Sequence, residues 1–458
     1  MHASALPYRR HLHELLHLAL PVILAQLAQI AMGFVDTIML GRLSPEALAA
    51  GALGNAVYFP MTIVAIGILN AVSPMVSQAY GAGKREAIQH AVQQGLYLAL
   101  ALAIPLIVLC WHMEPFFLRI GQDSAIAHQA QRYLRAISAG ILANLSFAVL
   151  RQFVEGISRP RPVTMITLTG VGLNAWLDYL LMFGRAGLPA LGVMGTGLAT
   201  ALVYWCMFLL LAGYIRLAPS TRKYRVLIAW HAPQWTYIRE LIRIGWPIGL
   251  LFGVEAGLFA TTTLLMGHLG AEALAAHQVV LQTAAITFMV PLGIGIATSV
   301  RVGQFVGAKR PADARRAGFA GMLAGASFMS LMAILMWAFP ESIITLYLPG
   351  QAHTSVFDLA LQLLTVAAVF QIVDGIQVTA SGALRGLKDT FVPMIIGVFS
   401  YWGIGLATAY LMTFVYGLGP VGLWWGLVAG LATAAVLLTL RFHLRTRFLK
   451  TPEATSLA

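Results

Sequence analysis

The sequence predicts an all-α polytopic membrane protein, twelve transmembrane helices in two six-helix lobes. Three observations predict it. Apolar residues make up 59% of the 458-residue chain and charged residues only 10%, whereas an ordinary soluble domain carries about 25% charged residues. The apolar residues fall into runs long enough to cross a bilayer, about 20 residues each. The two halves of the chain also repeat each other at a fixed offset.

The apolar runs lie at roughly 15–40, 53–77, 92–113, 126–150, 163–184 and 191–215 in the first half. In the second half they lie at roughly 241–266, 276–300, 317–339, 357–382, 391–415 and 421–440. The longest polar connection, Arg216–Arg239, divides the two sets. The expected division is an N-lobe over 1–220, a cytoplasmic connection over 221–239 and a C-lobe over 240–458. Twelve spans place both termini on one side. Most of the 29 Lys and Arg collect in the loops of that side, among them Arg9, Lys84, Arg159, Arg222, Lys309, Lys388, Arg445 and Lys450. The positive-inside rule makes that side the cytoplasm. The net charge of +12 is thereby explained by topology, and no nucleic-acid partner is expected. On this reading Arg151 and Arg385 also belong to the cytoplasmic loops.

Several function classes are excluded. Cys110 and Cys206 both sit in apolar runs, which argues against a disulfide framework or a metal site. No GxxxxGK[ST] run is present, so ATP is not the expected energy source. No catalytic signature stands out, and no stretch outside the membrane is long enough for a catalytic domain. The chain is expected not to be an enzyme and to need no cofactor. No cleavable signal peptide is visible.

The repeat is carried by Glu14/Glu240, Pro21/Pro247, Glu46-Ala47-Leu48-Ala49-Ala50 against Glu272-Ala273-Leu274-Ala275-Ala276, Gln78/Gln304 and Gly81/Gly307. Each pair is separated by 226 residues (14 to 240, 46 to 272, 78 to 304). Six spans per half is an even number, so the halves share one orientation. They are expected to be related by a pseudo-twofold axis along the membrane normal, with the transported solute passing between them.

Four of the 17 acids lie well inside predicted spans: Asp36, Asp178, Glu255 and Asp374. An acid at the centre of a membrane helix costs about 2.5–3.5 kcal/mol on insertion scales, and the default reading is an ion or substrate pathway. Each has polar company at helical spacing. Gln29 lies seven residues before Asp36, Asn174 and Asp178 are an i, i+4 pair, and Gln371 and Gln377 flank Asp374. No Lys or Arg stands mid-span to neutralise them, so they are free to take a proton or a small cation. Glu155 is read instead as a local ion pair with Arg151 or Arg159. Pro21, four turns before Asp36, is a candidate hinge, since proline removes a helix hydrogen bond. The glycines at 192, 195, 197, 422, 426 and 430 suit close helix packing.

These residues resemble the multidrug and toxic compound extrusion (MATE) family, and its NorM-type branch in particular. The resemblance covers roughly residues 12–445. It rests on Gly33-Phe34-Val35-Asp36-Thr37, Gly81-Ala82-Gly83, Ser158-Arg159-Pro160-Arg161-Pro162 and Pro247-Ile248-Gly249 with Glu255. It rests further on Ala275-Ala276-His277-Gln278, Phe370-Gln371 with Asp374, and Ala383-Leu384-Arg385-Gly386. It implies a multi-pass inner-membrane antiporter that exchanges an inward cation for an outward organic cation. Its partners would be small organic cations and the lipid bilayer, and its unit a monomer. NorM-type proteins use a pair of C-lobe acids, which Glu255 and Asp374 match. The DinF-type branch uses an N-lobe Asp with an Asn-x-x-x-Asp pair, which Asp36, Asn174 and Asp178 match. The coupling ion is H⁺ or Na⁺, with Na⁺ to be held at Asp36, Asn174 and Asp178. Some Na⁺-coupled relatives carry Tyr four residues before the C-lobe Asp. Here that residue is Phe370, which leans the reading to H⁺. Gln29, Phe252, Phe259 and Gln278 are expected to line the substrate cleft with Glu255 and Asp374. A lipid-linked precursor flippase or a dedicated metabolite exporter of the same superfamily is the alternative, and the flippase would need cationic residues in the cleft.

Overall fold

The structure is a computed structural model describing residues 7–185, 187, 189–350 and 354–447. Lys450, counted with the basic tail, lies outside the described residues. Among the described residues, eleven helices are long and apolar enough to span a bilayer. They are α1 (Tyr8–Leu43), α2 (Pro45–Gly81), α3 (Arg85–Trp111), α5 (Arg161–Phe183) and α6 (Val193–Leu217), then α7 (Trp235–His268), α8 (Ala271–Gly307), α9 (Pro311–Ala338), α10 (Ser355–Gly386), α11 (Phe391–Val415) and α12 (Pro420–Arg447). The twelfth, α4, is a pair, Ser124–Ser138 and Ile141–Gly156, bent by 47°. The expected twelve spans are thus met when the bent pair is one span. No strand occurs among the described residues.

Local chemistry starts the helices where the sequence allows. Ser44 caps α2, accepting from the Ala47 amide at 3.0 Å, with Pro45 in the first turn. Asp123 caps α4 through the Ala125 and Ile126 amides at 2.8 and 3.3 Å. Thr354 caps α10.

Helix boundaries carry the repeat further than residue identities do. α2 and α8 are both 37 residues long and begin at 45 and 271. α3 and α9 begin at 85 and 311, and the short helices Glu114–Arg119 and Pro340–Thr345 follow at the same offset. Past that point the second half holds four more residues. α4 and α10 end at Gly156 and Gly386, two residues before Ser158 and Lys388, which turn the chain through positive φ (61° and 59°).

The chain divides into two compact units: residues 24–249, and residues up to Ile23 together with those from Leu250 onward. The cuts fall two residues after Pro21 and Pro247, the prolines inside α1 and α7. Helical glycines explain the packing on either side. Gly245 of α7 presses on the Ile68 carbonyl of α2, where any Cβ would clash. In the other unit Gly293 of α8 meets Ile23 of α1. That unit also holds the start of α1 by side chains: Glu14 pairs with Arg301, and His11 lies 3.2 Å from Asp313.

Polar side chains fasten the long connection. Gln93 of α3 donates to the carbonyls of Val226 (2.9 Å) and Ala229 (2.6 Å) and accepts from the His231 amide (3.2 Å). Gln89, Gln94 and Tyr97 add bonds to Ala229, Ala232 and His231. The connection is therefore a docked segment of the 24–249 unit, with its backbone groups satisfied by α3.

Candidate functional site

The four intramembrane acids form two groups, one in each unit. In the 24–249 unit, Asp36 of α1 faces Asn174 and Asp178 of α5. Asn174 and Asp178 are fully buried. Thr200 of α6 donates to Asp36 Oδ2 at 3.3 Å. The remaining polar atoms are left over: Asp36 Oδ1, both Asp178 oxygens, the Asn174 amide and Thr196 Oγ1 are buried without a well-formed hydrogen bond. Buried polar groups are normally satisfied, so such a cluster calls for an explanation. Two facing carboxylates repel unless a proton or a cation lies between them.

Sequence reading missed the rest of this lining. Tyr133 of α4 and Tyr204 of α6 are packed around the acids, and Tyr58 of α2 lies beside those two tyrosines. Tyr133 stands in the field of both Asp36 and Asp178, and Tyr204 in that of Asp36. The signal was present on α6. Thr196, Thr200 and Tyr204 recur every four residues and share one face.

Gln29 does not join Asp36. It accepts from Arg151 Nη1 at 3.2 Å, as Gln26 does at 3.0 Å. Arg151 also lies 3.5 Å from Glu155, and both are buried. The Glu155 ion pair expected from the sequence is present, made with Arg151.

In the other unit, Glu255 of α7 and Asp374 of α10 lie in one another's field. The Tyr401 hydroxyl of α11 completes the group, accepting from Gln377 Nε2 at 2.6 Å. It lies near the acids although position 370 has no hydroxyl. Phe370 is buried edge-on against Trp424 (5.6 Å) and Phe259 (6.2 Å). Gln371 turns away to Thr287. Gln278 is exposed, while its neighbour His277 is buried and bonded to Thr263 at 3.1 Å. Phe252 lies under the Arg385 guanidinium, 5.8 Å from its ring centre.

Two expectations are corrected here. Arg151 and Arg385 are buried side chains, 8% and 9% exposed, rather than loop charges. Glu255 also has a cationic neighbour, Arg385. Position near the end of an apolar run hid this, because an arginine stem can reach several ångströms along a helix.

Comparison with known proteins places the chain in a family. The MatE family model matches residues 21–180 and again 247–411, starting at the two repeat prolines. The chain belongs to the MatE family. It is 42% identical over 440 residues to the multidrug resistance protein NorM of Burkholderia vietnamiensis, covering 95% of each chain. It is also 42% identical to a probable NorM of Pseudomonas aeruginosa, covering 97% of this chain and 91% of that one. The crystal structure of a eukaryotic MATE transporter shares the fold with a TM-score of 0.86 at 23% identity, covering 96% of this chain and 98% of that one. MATE membership makes this chain a multi-pass membrane transporter.

Proposed function

We propose that this MATE transporter exports cationic and amphipathic drugs and other toxic organic compounds across a bacterial inner membrane in exchange for an inward cation, with H⁺ favoured over Na⁺. The observation that carries it is the presence of two separate acid groups, one per unit, each joining a buried acid (Asp178, Asp374) to a half-buried one (Asp36, Glu255). In the first, the unsatisfied oxygens of Asp36 and Asp178 with Asn174 and Thr196 suit a proton or a bare cation. In the second, Tyr401 stands beside Glu255 and Asp374, and Phe252 and Phe259 lie one turn to either side of Glu255 on α7, a lining suited to flat organic cations. A proton and a cationic drug that need the same carboxylate exclude one another, and that exclusion couples the two fluxes. Pro21 breaks the hydrogen-bond ladder inside α1 and is the hinge through which the charge state of Asp36 would act. Phe370, sealed against Trp424, offers no Na⁺ ligand, which supports H⁺. The excess of Lys and Arg in the loops on one side supports a cytoplasmic position for both termini.

The flippase reading needs a cation free to hold phosphate. Arg385 lies over Phe252 beside Glu255, and Arg151 is bound by Gln26, Gln29 and Glu155. Neither is available. The test is ethidium accumulation in bacteria lacking their own efflux pumps. Cells expressing the wild-type chain should hold several-fold less dye than cells expressing Glu255→Gln or Asp374→Asn at equal membrane levels. Equal accumulation in all of them would overturn the export reading.

A further inference from the structure

Both units hold one arginine against the same two positions of the repeated helix. In the first half, Arg151 bonds Gln26 and Gln29 of α1. At the offset of 226 these become Phe252 and Glu255 of α7. There Arg385 covers the Phe252 ring and faces Glu255. The two arrangements differ in where the acid sits. Glu155 is one turn along from Arg151 on α4 itself, away from α1. Glu255 is on the repeated helix, in the group that includes Asp374 and Tyr401. Arg385 is 9% exposed, and its Nε has no hydrogen-bond partner. Its guanidinium is thus held by a ring and a charge, not by a bonded carboxylate fork.

Formal charge then limits the ligand. Glu255, Asp374 and Arg385 together leave one net negative charge. Arginine does not give up its proton in proteins. A solute with one positive charge brings the group to neutrality. A solute with two would leave a positive charge beside a buried guanidinium, where the low dielectric makes it costly. We infer that Arg385 is a built-in counter-cation of Glu255 that restricts the second-half site to monovalent organic cations. The inference rests on the reading of Glu255 and Asp374 as substrate acids.

The test compares two dyes with one aromatic core, ethidium (one positive charge) and propidium (two). Binding to the purified full-length protein is read by fluorescence. The wild type should prefer ethidium, and Arg385→Gln should shift the ethidium-to-propidium ratio of dissociation constants toward propidium by about tenfold. Arg385→Lys keeps the charge and should keep the ratio. The double variant Glu255→Gln/Arg385→Gln again leaves one negative charge, on Asp374, and should return the ratio to the wild-type value. It also keeps the charge balance of the site, so it remains informative where Arg385→Gln alone does not fold. An unchanged ratio in Arg385→Gln, or a double variant that binds propidium as Arg385→Gln does, overturns the inference. Loss of ethidium binding in Glu255→Gln alongside an unchanged ratio in Arg385→Gln leaves the site reading standing and removes only the role of Arg385. Wild-type ethidium affinity in both Glu255→Gln and Asp374→Asn removes the site reading and the inference together.

Discussion

Arg151→Met should destabilise the protein by about 3 kcal/mol, because it strands a buried acid. The Arg151 and Glu155 side chains are 9% and 2% exposed and 3.5 Å apart. Removing one member of a buried pair costs about 3–5 kcal/mol. The 3.5 Å separation exceeds that of a charge-assisted hydrogen bond, about 2.7–2.9 Å, which argues for the low end. Gln26 and Gln29 each lose a donor, and interhelical hydrogen bonds in membranes average only about 0.6 kcal/mol. These losses overlap with the first, so the total stays near 3 kcal/mol, more than a hundredfold in the unfolding constant. The assay is reversible unfolding of purified protein in mixed micelles, followed by tryptophan fluorescence. The double variant Arg151→Met/Glu155→Leu removes both charges and should recover at least about 1 kcal/mol of the loss. A single variant within about 0.5 kcal/mol of wild type would refute the reasoning, as would a double variant no more stable than the single one.

Three further outcomes follow from the same contacts. Asp36→Asn should abolish ion-driven efflux while leaving the protein inserted at normal levels, checked by dye efflux and by membrane immunoblot; undiminished efflux would remove Asp36 from the coupling site. Gln93→Ala deletes four bonds to the connection, one of them to the His231 ring, so amide exchange over residues 226–231 should accelerate about tenfold or more, while α12 peptides stay unchanged. Tyr401→Phe leaves the buried Gln377 amide without its acceptor, which should cost about 1–2 kcal/mol of stability and weaken ethidium binding several-fold, read by unfolding and fluorescence titration.

The spans were legible because lipid demands long apolar runs, and the repeat because Glu-Ala-Leu-Ala-Ala recurs intact at 46 and 272. Asp36, Asp178, Glu255 and Asp374 were legible because an acid in an apolar run has no ordinary excuse, and Asn174 because it stands one turn before Asp178. The tyrosines at 133, 204 and 401 were not. Each is one aromatic among many on an apolar helix, and only tertiary packing turns its hydroxyl toward an acid. Arg385 was misread for a related reason. It sits in the last turn of α10, where a basic residue looks like a loop anchor, yet its side chain is buried beside Phe252. Gln29 shows the reverse limit. Helical spacing puts it on the Asp36 face, but Arg151 from another helix takes its oxygen.

The most direct test of the account is ethidium efflux from proteoliposomes under an imposed pH gradient and, separately, an imposed Na⁺ gradient, with the wild type and Asp36→Asn side by side. The account predicts efflux driven by the pH gradient in the wild type and none in Asp36→Asn. Efflux driven by Na⁺ alone would overturn the assignment of H⁺. No efflux under either gradient would contradict cation antiport itself.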